Sequence, residues 1–233
     1  MATLIADEVI DVSAPETWPG PLASNLAELD RHVPHDDHPA DLAIPQEGRE
    51  AVKSALLGQH LLARHFTRLM PHEFDSIRSA GLQLPSQGFF DGRLDRAEAL
   101  GYISQTVAQV LKDSTIFAAE SQVRGDRNFV CLTIGPVLEE DAGAVSELLG
   151  TWGGEAIYFA AGARDHAQLL RTLGEPAVVQ VALPPECVSR SRFFPAIENV
   201  LLGRMRGLPG AYGDVLSREA VRPYAIVAIR RLQ

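Results

Sequence analysis

Gly153-Gly154-Glu155-Ala156-Ile157-Tyr158-Phe159-Ala160 is the stretch on which the interpretation of the fold depends. Its two glycines predict a tight turn, since other residues resist the positive φ angles that such turns require. The apolar residues after them predict a short buried strand. Tyr158 places one hydroxyl in this strand, and a buried tyrosine hydroxyl usually needs a hydrogen-bond partner. Taken alone, the stretch indicates a core strand with one polar side chain.

A chain of 233 residues, 46% of them hydrophobic, has the size and composition of a globular protein with one substantial core. No apolar run approaches the roughly 18 residues of a membrane span, and the first residues lack the basic segment of a secretion signal. We therefore expect no membrane contact and a cytoplasmic location. Cys131 and Cys187 are too few for a disulfide framework or a cysteine zinc site.

The negative charge is concentrated at the N-terminus. Residues 1–50 contain 11 acidic and two basic side chains and so carry the whole net charge of −9. Six prolines interrupt the same segment, which predicts an acidic, mobile or peripheral arm over residues 1–45 and a single domain over 46–233. Phosphates would repel this arm, which argues against nucleic-acid binding through it. A basic partner would suit it better.

Three histidines recur at every third position in the arm, His32, His35 and His38. Imidazoles bind zinc and nickel, so this spacing raises a metal site as one interpretation. Pro34 and Pro39 break the helix that would align the rings on one face. We therefore predict a solvated polar turn and no metal site.

The body of the chain alternates helix and strand patterns irregularly. A strand is predicted over 60–69, a helix over 70–80 that ends at Gly81, and a mostly helical region over 93–124. Further strands are predicted over 128–134, 177–183, 214–217 and 221–229, and no strand, glycine loop and helix follow one another as in a phosphate-binding motif. This order favours an α+β fold over a doubly wound sheet.

Three short patches resemble the ADP-ribosyltransferase superfamily, and in particular its poly(ADP-ribose) polymerase-like catalytic fold. The stretch from Gly154 to Ala160 is similar to that family's Gly-x-Gly-Ile-Tyr-Phe-Ala motif. His65-Phe66-Thr67 is similar to the His-x-Thr of its first strand, and the helix ending in Gly81-Leu82 resembles the one that follows. The patches occur in the family's order from residue 60 onward.

The resemblance implies a split pair of small sheets with added helices, which bind NAD as a substrate in the cleft between them. The implied cofactor-binding residues are His65 and Thr67 at the adenosine ribose, Arg68 on the same strand, and Tyr158 at the nicotinamide. The implied catalytic residue is a late carboxylate at the nicotinamide ribose, for which Asp214 and Glu219 are the candidates. A fixed negative charge there would stabilise an oxocarbenium-like transition state.

The sequence leaves three functions open. The first is an NAD-dependent ADP-ribosyltransferase, a toxin or modifying enzyme that acts on an unidentified protein or nucleic acid. The second is an RNA 2′-phosphotransferase-like enzyme, since Arg64 and His65 resemble the arginine-histidine pair of that branch. The third is a non-catalytic binding module on the same fold, which the lack of an unambiguous glutamate in the third motif favours.

Overall fold

A computed structural model describes residues 9–34, 38–115, 117, 129–154, 157, 164–187 and 196–232. Within these ranges the chain is a mixed α and β protein, as the sequence predicts. The helices are α1 (Gly20–His32), α2 (Gln46–Ala55), α3 (Pro71–Ala80), α4 (Gln87–Ala99), α5 (Gln105–Ser114), α6 (Val137–Glu140), α7 (Ala142–Gly150), α8 (Ala167–Thr172) and α9 (Ile197–Met205). The strands are β1 (Val9–Ile10), β2 (His60–Leu69), β3 (Val130–Ile134), β4 (Glu175–Leu183), β5 (Gly213–Ser217) and β6 (Ile226–Arg231).

The six described strands form one sheet, in the order β5-β3-β2-β4-β6, and β1 pairs with β2 off this path. The β1–β2 pair is parallel, with Val9 opposite His60, whereas the β2–β3 pair is antiparallel, with Arg64 opposite Thr133. The resemblance implied two separate sheets. The structure has one sheet because the long strands β2 and β4 are neighbours. The strands on either side of them therefore belong to the same sheet.

The chain divides into two compact units that alternate along the sequence. The first comprises Met1–His65, Cys131–Ala144 and Gln180–Leu216, and the second comprises Phe66–Val130, Val145–Val179 and Ser217–Gln233. Each unit therefore depends on distant parts of the chain. In the described residues, no helix is long and apolar enough to cross a membrane.

The N-terminal segment is packed into the first unit, which differs from the predicted mobile arm. Leu22 and Leu26 of α1 have no solvent exposure, and α1 packs against α2 and α9. The predicted arm was inferred from charge and proline content, but Leu22, Leu26 and Leu29 recur at helical spacing and form an apolar stripe that needs a partner. Pro19 and Pro21 lie at the helix start, where a missing N–H costs little.

Polar contacts also bind this segment to the rest of the first unit. The Asn199 side-chain amide donates to the carbonyls of Pro39 and Leu42, at 2.8 and 2.9 Å. The Arg206 guanidinium binds the Asp30 carboxylate, with an Nε to Oδ1 distance of 2.6 Å. These bonds hold the segment in one place, so the described residues before Gln46 are part of the fold.

The second unit has its own apolar core, which surrounds Trp152. Its buried members are Met70, Phe90, Leu94, Ala97, Ile103, Ala108, Leu111, Trp152, Ile157, Leu170 and Leu173. Five of these residues come from α4 and α5, whose first turns are capped by the hydroxyls of Ser86 and Ser104. The predicted helical region over 93–124 is therefore two helices with a capped break between them, and its residues after 115 lie largely outside the described ranges.

The predicted glycine turn is confirmed at Gly153 and Gly154, whose φ angles are +95° and +59°. A Cβ on Gly153 would lie 2.2 Å from the Ile157 side chain, so this position needs glycine for space as well as for conformation. Ile157 is helical and does not start a strand, and its N–H donates to the Gly154 carbonyl at 3.0 Å. Residues 155, 156 and 158–163 lie outside the described residues.

Candidate functional site

The central strand β2 carries four of the polar side chains singled out in the sequence. Successive side chains of a strand point to opposite faces. His65 and Thr67 therefore share one face of β2, and Arg64 and Arg68 share the other. This arrangement places the histidine and threonine of the His-x-Thr pattern side by side and separates both from the two arginines.

The His65 ring is half-buried and fixed by a backbone contact. Its Nδ1 lies 2.9 Å from the carbonyl oxygen of Cys131. A carbonyl only accepts hydrogen bonds, so Nδ1 carries the proton, and in the neutral ring Nε2 is then the acceptor. Strand β3, which contains Cys131, thus sets both the orientation and the tautomer of His65.

Thr67 is buried, with 8% of its surface exposed. Its hydroxyl donates to the carbonyl of Arg68 over a long distance of 3.4 Å. Such a bond is weak and local, so the hydroxyl could exchange it for a stronger acceptor.

Arg68 makes three bonds to backbone carbonyls. Its Nε, Nη1 and Nη2 donate to Leu173, Leu149 and Gly174 at 2.9, 3.0 and 2.7 Å. Burial lowers the pKa of this guanidinium, and the Glu175 charge partly opposes that effect. Through these bonds Arg68 links β2 to the C-terminal ends of α7 and α8. The sequence predicted Arg68 as a cofactor-binding residue and did not predict this structural role.

Arg64 is paired within the first unit. Its Nη2 lies 3.0 and 2.9 Å from the two carboxylate oxygens of Asp11, and its Nη1 donates to the Gly135 carbonyl at 3.3 Å. The charge of Arg64 is therefore already matched by a residue from the N-terminal segment.

Asp214 lies on β5, two strands away from His65. A Cβ on Gly213 would lie 3.7 Å from the Ile134 side chain, so both point to one face of the sheet. Ile134 is opposite Ala63, and His65 follows two residues after Ala63 on the same face. Asp214, one residue after Gly213, therefore points to the other face, and the fold does not bring its carboxylate to the His65 ring.

Glu219 lies just after β5 in an exposed bend. Its carbonyl accepts a bond from the Ser217 hydroxyl at 2.7 Å. Tyr158, the implied nicotinamide-binding residue, lies outside the described residues. Of the candidates, the structure thus places His65 and Thr67 together, and it places Asp214 and Glu219 elsewhere.

The histidine-rich turn contains no metal centre in the part that is described. His32 binds the Glu28 carboxylate at 2.8 Å, and His38 accepts the N–H of Ala40 at 3.1 Å. His35 lies outside the described residues. Among the described residues, no three His, Cys, Asp or Glu side chains are close enough to hold a metal ion.

Sequence reasoning missed a buried charged cluster in the second unit. The Glu73 carboxylate accepts bonds from the Met70 N–H at 2.8 Å, the Trp152 Nε1 at 3.0 Å and the Arg93 Nε at 2.6 Å. Arg93 also lies over the Trp152 ring, 4.8 Å from its centroid. Glu73 at the third position of a helix that begins with Pro71 is a recognisable capping signal, but nothing in the sequence links it to Arg93.

Comparisons with protein-family models, with curated proteins and with solved structures find no match to this chain.

Proposed function

We propose that this protein binds NAD through His65 and transfers ADP-ribose to a macromolecular target. The observation that carries the proposal is the fixed His65 ring on the central strand. Its Nδ1 is held by the Cys131 carbonyl at 2.9 Å, so in the neutral ring Nε2 is the acceptor nitrogen, the group that a ligand hydroxyl would bind. A ribose offers such hydroxyls, and a ring that is already oriented loses little entropy when it binds one.

The residues around His65 fit the ribose part of NAD. Thr67 shares its face of β2 and has a hydroxyl held only by a 3.4 Å bond. The helix after β2 ends at Gly81, whose φ is +76°. Bound NAD would supply the electrophilic ribose carbon, and the protein would orient it.

The structure places neither candidate carboxylate next to His65. Transfer of ADP-ribose favours a carboxylate close to the bond that breaks, because positive charge develops there. Asp214 points to the sheet face opposite His65, and Glu219 is exposed after β5. These positions favour a second candidate function, a non-catalytic NAD-binding module on the same fold. No observation favours the phosphotransferase-like alternative, since Arg64 is bound to Asp11.

Nicotinamide release from NAD separates the enzyme from the module. If the chain is an enzyme, the purified protein should release nicotinamide from NAD as ADP-ribose passes to water in the absence of the target. Either Asp214→Asn or Glu219→Gln should then lower the rate by about 10²–10³, the usual loss when an electrostatic contact to a transition state is removed. Each substitution keeps the side-chain shape and serves as the control for the other. NAD binding without any release would assign the protein to the module. Release that neither substitution changes would exclude both carboxylates as the catalytic group.

A further inference from the structure

Strand β6 is the last strand at one end of the described sheet. It has β4 on one side, and no described strand pairs with its other side. Leu232, the residue after β6, donates its N–H to the Pro176 carbonyl of β4 at 2.9 Å. Because the backbone groups of successive strand residues point alternately to the two sides, those of Val227, Ile229 and Arg231 point away from β4. We call this side of β6 the outer edge.

A cavity of about 400 Å³ lies between β6 and α3, within the second unit. The residues from α3 have the spacing of one helix face, and those from β6 have the spacing of one strand face. The lining consists of Pro71, Phe74, Asp75, Arg78, Ile229 and Arg231. Both residues from β6 are among those whose backbone groups point to the outer edge, so the cavity lies beside that edge.

The outer edge is accessible to another chain. Val227 on β6 is 52% exposed, and Tyr224 shortly before it is 59% exposed. An exposed strand edge with apolar side chains readily pairs with a further strand. Arg230 and Arg231 bring positive charge to the same edge, which works against pairing with a second, equally charged copy of β6.

The two arginines of the cavity can bind a carboxylate. The Arg231 Nε lies 2.6 Å from the Glu175 carboxylate, and its guanidinium lies over the Phe74 ring, 4.8 Å from the centroid. Arg78 Nη1 lies 3.0 Å from the Asp75 carboxylate. In both ion pairs each side chain is more than half exposed, and such pairs contribute little to stability. Each guanidinium also has further N–H groups with which it can bind a ligand.

Two further arginines make the surroundings of the cavity positive. Arg222, before β6, and Arg230, on it, are exposed, and neither forms an ion pair with a described residue. Arg230 and Arg231 lie on opposite faces of the strand. Four arginines therefore stand against the two carboxylates at the cavity, and the outer edge attracts an acidic segment from both faces.

We propose that β6 and this cavity bind an extended acidic segment of a partner protein. The segment pairs its backbone with the outer edge as an additional strand, and one of its carboxylates enters the cavity between Arg78 and Arg231. Phosphates would also be attracted by the arginines, but nucleic acid has no backbone that matches the donors and acceptors of a strand edge. The proposed NAD site does not enter this proposal, because His65 belongs to the first unit.

Fluorescence anisotropy with a labelled peptide tests the charge. The probe is acetyl-Ser-Val-Thr-Glu-Thr-Val-Ser-amide, in which β-branched residues favour an extended chain around one glutamate. We expect the full chain to bind it with a Kd of about 0.1 mM or tighter, and to bind the same peptide with a central glutamine or lysine at least about fivefold more weakly. Equal binding of the glutamate and lysine peptides, or no binding of the glutamate peptide, would overturn the proposal.

Two methylated forms of the peptide test the backbone pairing. N-methyl groups on every second amide remove the donors of one edge of the peptide, and the two forms differ in which edge is blocked. One form should bind at least about tenfold more weakly and the other should bind nearly as the parent does, because only one edge of a strand faces its neighbour. If both forms bind as the parent does, no strand pairing takes place.

Val227→Pro tests the same pairing from the side of the protein. Proline removes an N–H that points away from β4, a position at which strands tolerate it, and peptide binding should weaken about tenfold. Val227→Ala keeps the N–H and is the control. Circular dichroism shows whether the proline variant folds, and if it does not, the methylated peptides decide. A folded Val227→Pro variant that binds the peptide unchanged would contradict the proposal.

Arginine variants locate the carboxylate. Arg78→Gln and Arg231→Gln should each weaken the glutamate peptide about tenfold and leave the glutamine peptide nearly unchanged, because only the former places a charge in the cavity. Arg96→Gln, an exposed arginine on α4 outside the lining, is the control. Equal losses for both peptides, or for all three variants, would remove the carboxylate from the cavity and overturn the proposal.

Two other occupants would give different results. If an RNA of ten uridines displaces the peptide and binds Val227→Pro as well as wild type, the arginines serve phosphates and the proposal is wrong. A dimer that sedimentation velocity detects in wild type and not in Val227→Pro would assign the outer edge to a second copy of the chain, and would overturn the proposal as well. A monomeric chain whose peptide binding survives excess RNA is the expected result.

Discussion

At the scale of single residues, Glu73 is held by several partners at once. It is buried and accepts bonds from a backbone N–H, an indole and a guanidinium. Burial alone would raise the pKa of this carboxyl, but the charge of Arg93 and these hydrogen bonds together hold the pKa below its usual range. Glu73 therefore both starts α3 and pairs with the partly buried Arg93 next to Trp152.

Glu73→Gln should lower the free energy of unfolding by roughly 3 kcal/mol at pH 7, because it leaves the Arg93 charge without its buried partner. A carboxyl with a depressed pKa in the folded state stabilises the protein above its unfolded pKa of about 4.3 and loses that contribution as the pH falls through the folded value. The difference between wild type and variant in urea unfolding should therefore shrink below about pH 4.

Asp75→Asn on the same helix is the control for this prediction. Asp75 pairs with Arg78 at the surface, with 85% of its side chain exposed, so the change should cost less than about 1 kcal/mol. If Glu73→Gln were as harmful at pH 3 as at pH 7, the loss would come from packing and not from the buried charge.

At the scale of secondary-structure elements, the sequence predicted those whose signals are local. The strand over 60–69, the helix after it and its end at Gly81 are confirmed. Helix α1 was missed, because the charge and proline content of the segment outweighed the leucine spacing in the interpretation. The glycine turn was predictable from Gly153 and Gly154. The backbone conformation of Ile157 was not, since a short apolar run does not distinguish a helical segment from a strand.

In the candidate site, too, only the local features could be predicted from the sequence. His65 and Thr67 could be placed on one face from the period of a strand alone. The Cys131 carbonyl lies next to His65 because β2 and β3 pair. The register of that pairing cannot be predicted from the pattern of single residues. The bonds of Arg68 to three distant carbonyls depend likewise on tertiary packing.

Substitution of Gly81 tests whether the C-terminal end of α3 needs a glycine for its close backbone contact. Its φ is +76°, and an added Cβ would lie 1.8 Å from the carbonyl oxygen of Val221, which accepts the N–H of Leu82. Gly58 has a φ of +77° and open space around the same position. Gly58→Ala should cost about 1 kcal/mol from backbone strain alone, and Gly81→Ala about 2 kcal/mol more, because the Leu82–Val221 bridge must also break. Equal losses in chemical denaturation would refute this account of the close contact.

Helix α1 gives the second test at this scale. Leu26 has no solvent exposure, so Leu26→Ala should destabilise the protein by about 2–5 kcal/mol, as for other buried leucines. Ser24→Ala on the exposed side of the same helix should change the unfolding free energy by less than about 0.5 kcal/mol. A melting temperature that Leu26→Ala leaves unchanged would restore the mobile arm that charge and proline content suggested.

At the scale of the whole molecule, the described part of the acidic segment belongs to a folded unit, so the charges of its described residues lie at fixed positions. Exposed acidic residues of this segment are Glu16, Glu28, Asp41, Glu47 and Glu50. An acidic surface attracts basic groups and repels phosphates, so a basic protein target stays our prediction for the proposed transfer of ADP-ribose. The proposed function itself depends on the site at His65.

NAD binding measured by calorimetry, with wild type and His65→Ala side by side, tests the central claim most directly. The account predicts that the wild-type chain binds NAD and that His65→Ala weakens binding about tenfold, the cost of one well-oriented hydrogen bond. His32→Ala, a surface histidine paired with Glu28, should bind NAD as the wild type does. A wild-type chain that does not bind NAD at millimolar concentration, or a folded His65→Ala variant that binds it unchanged, would contradict the account.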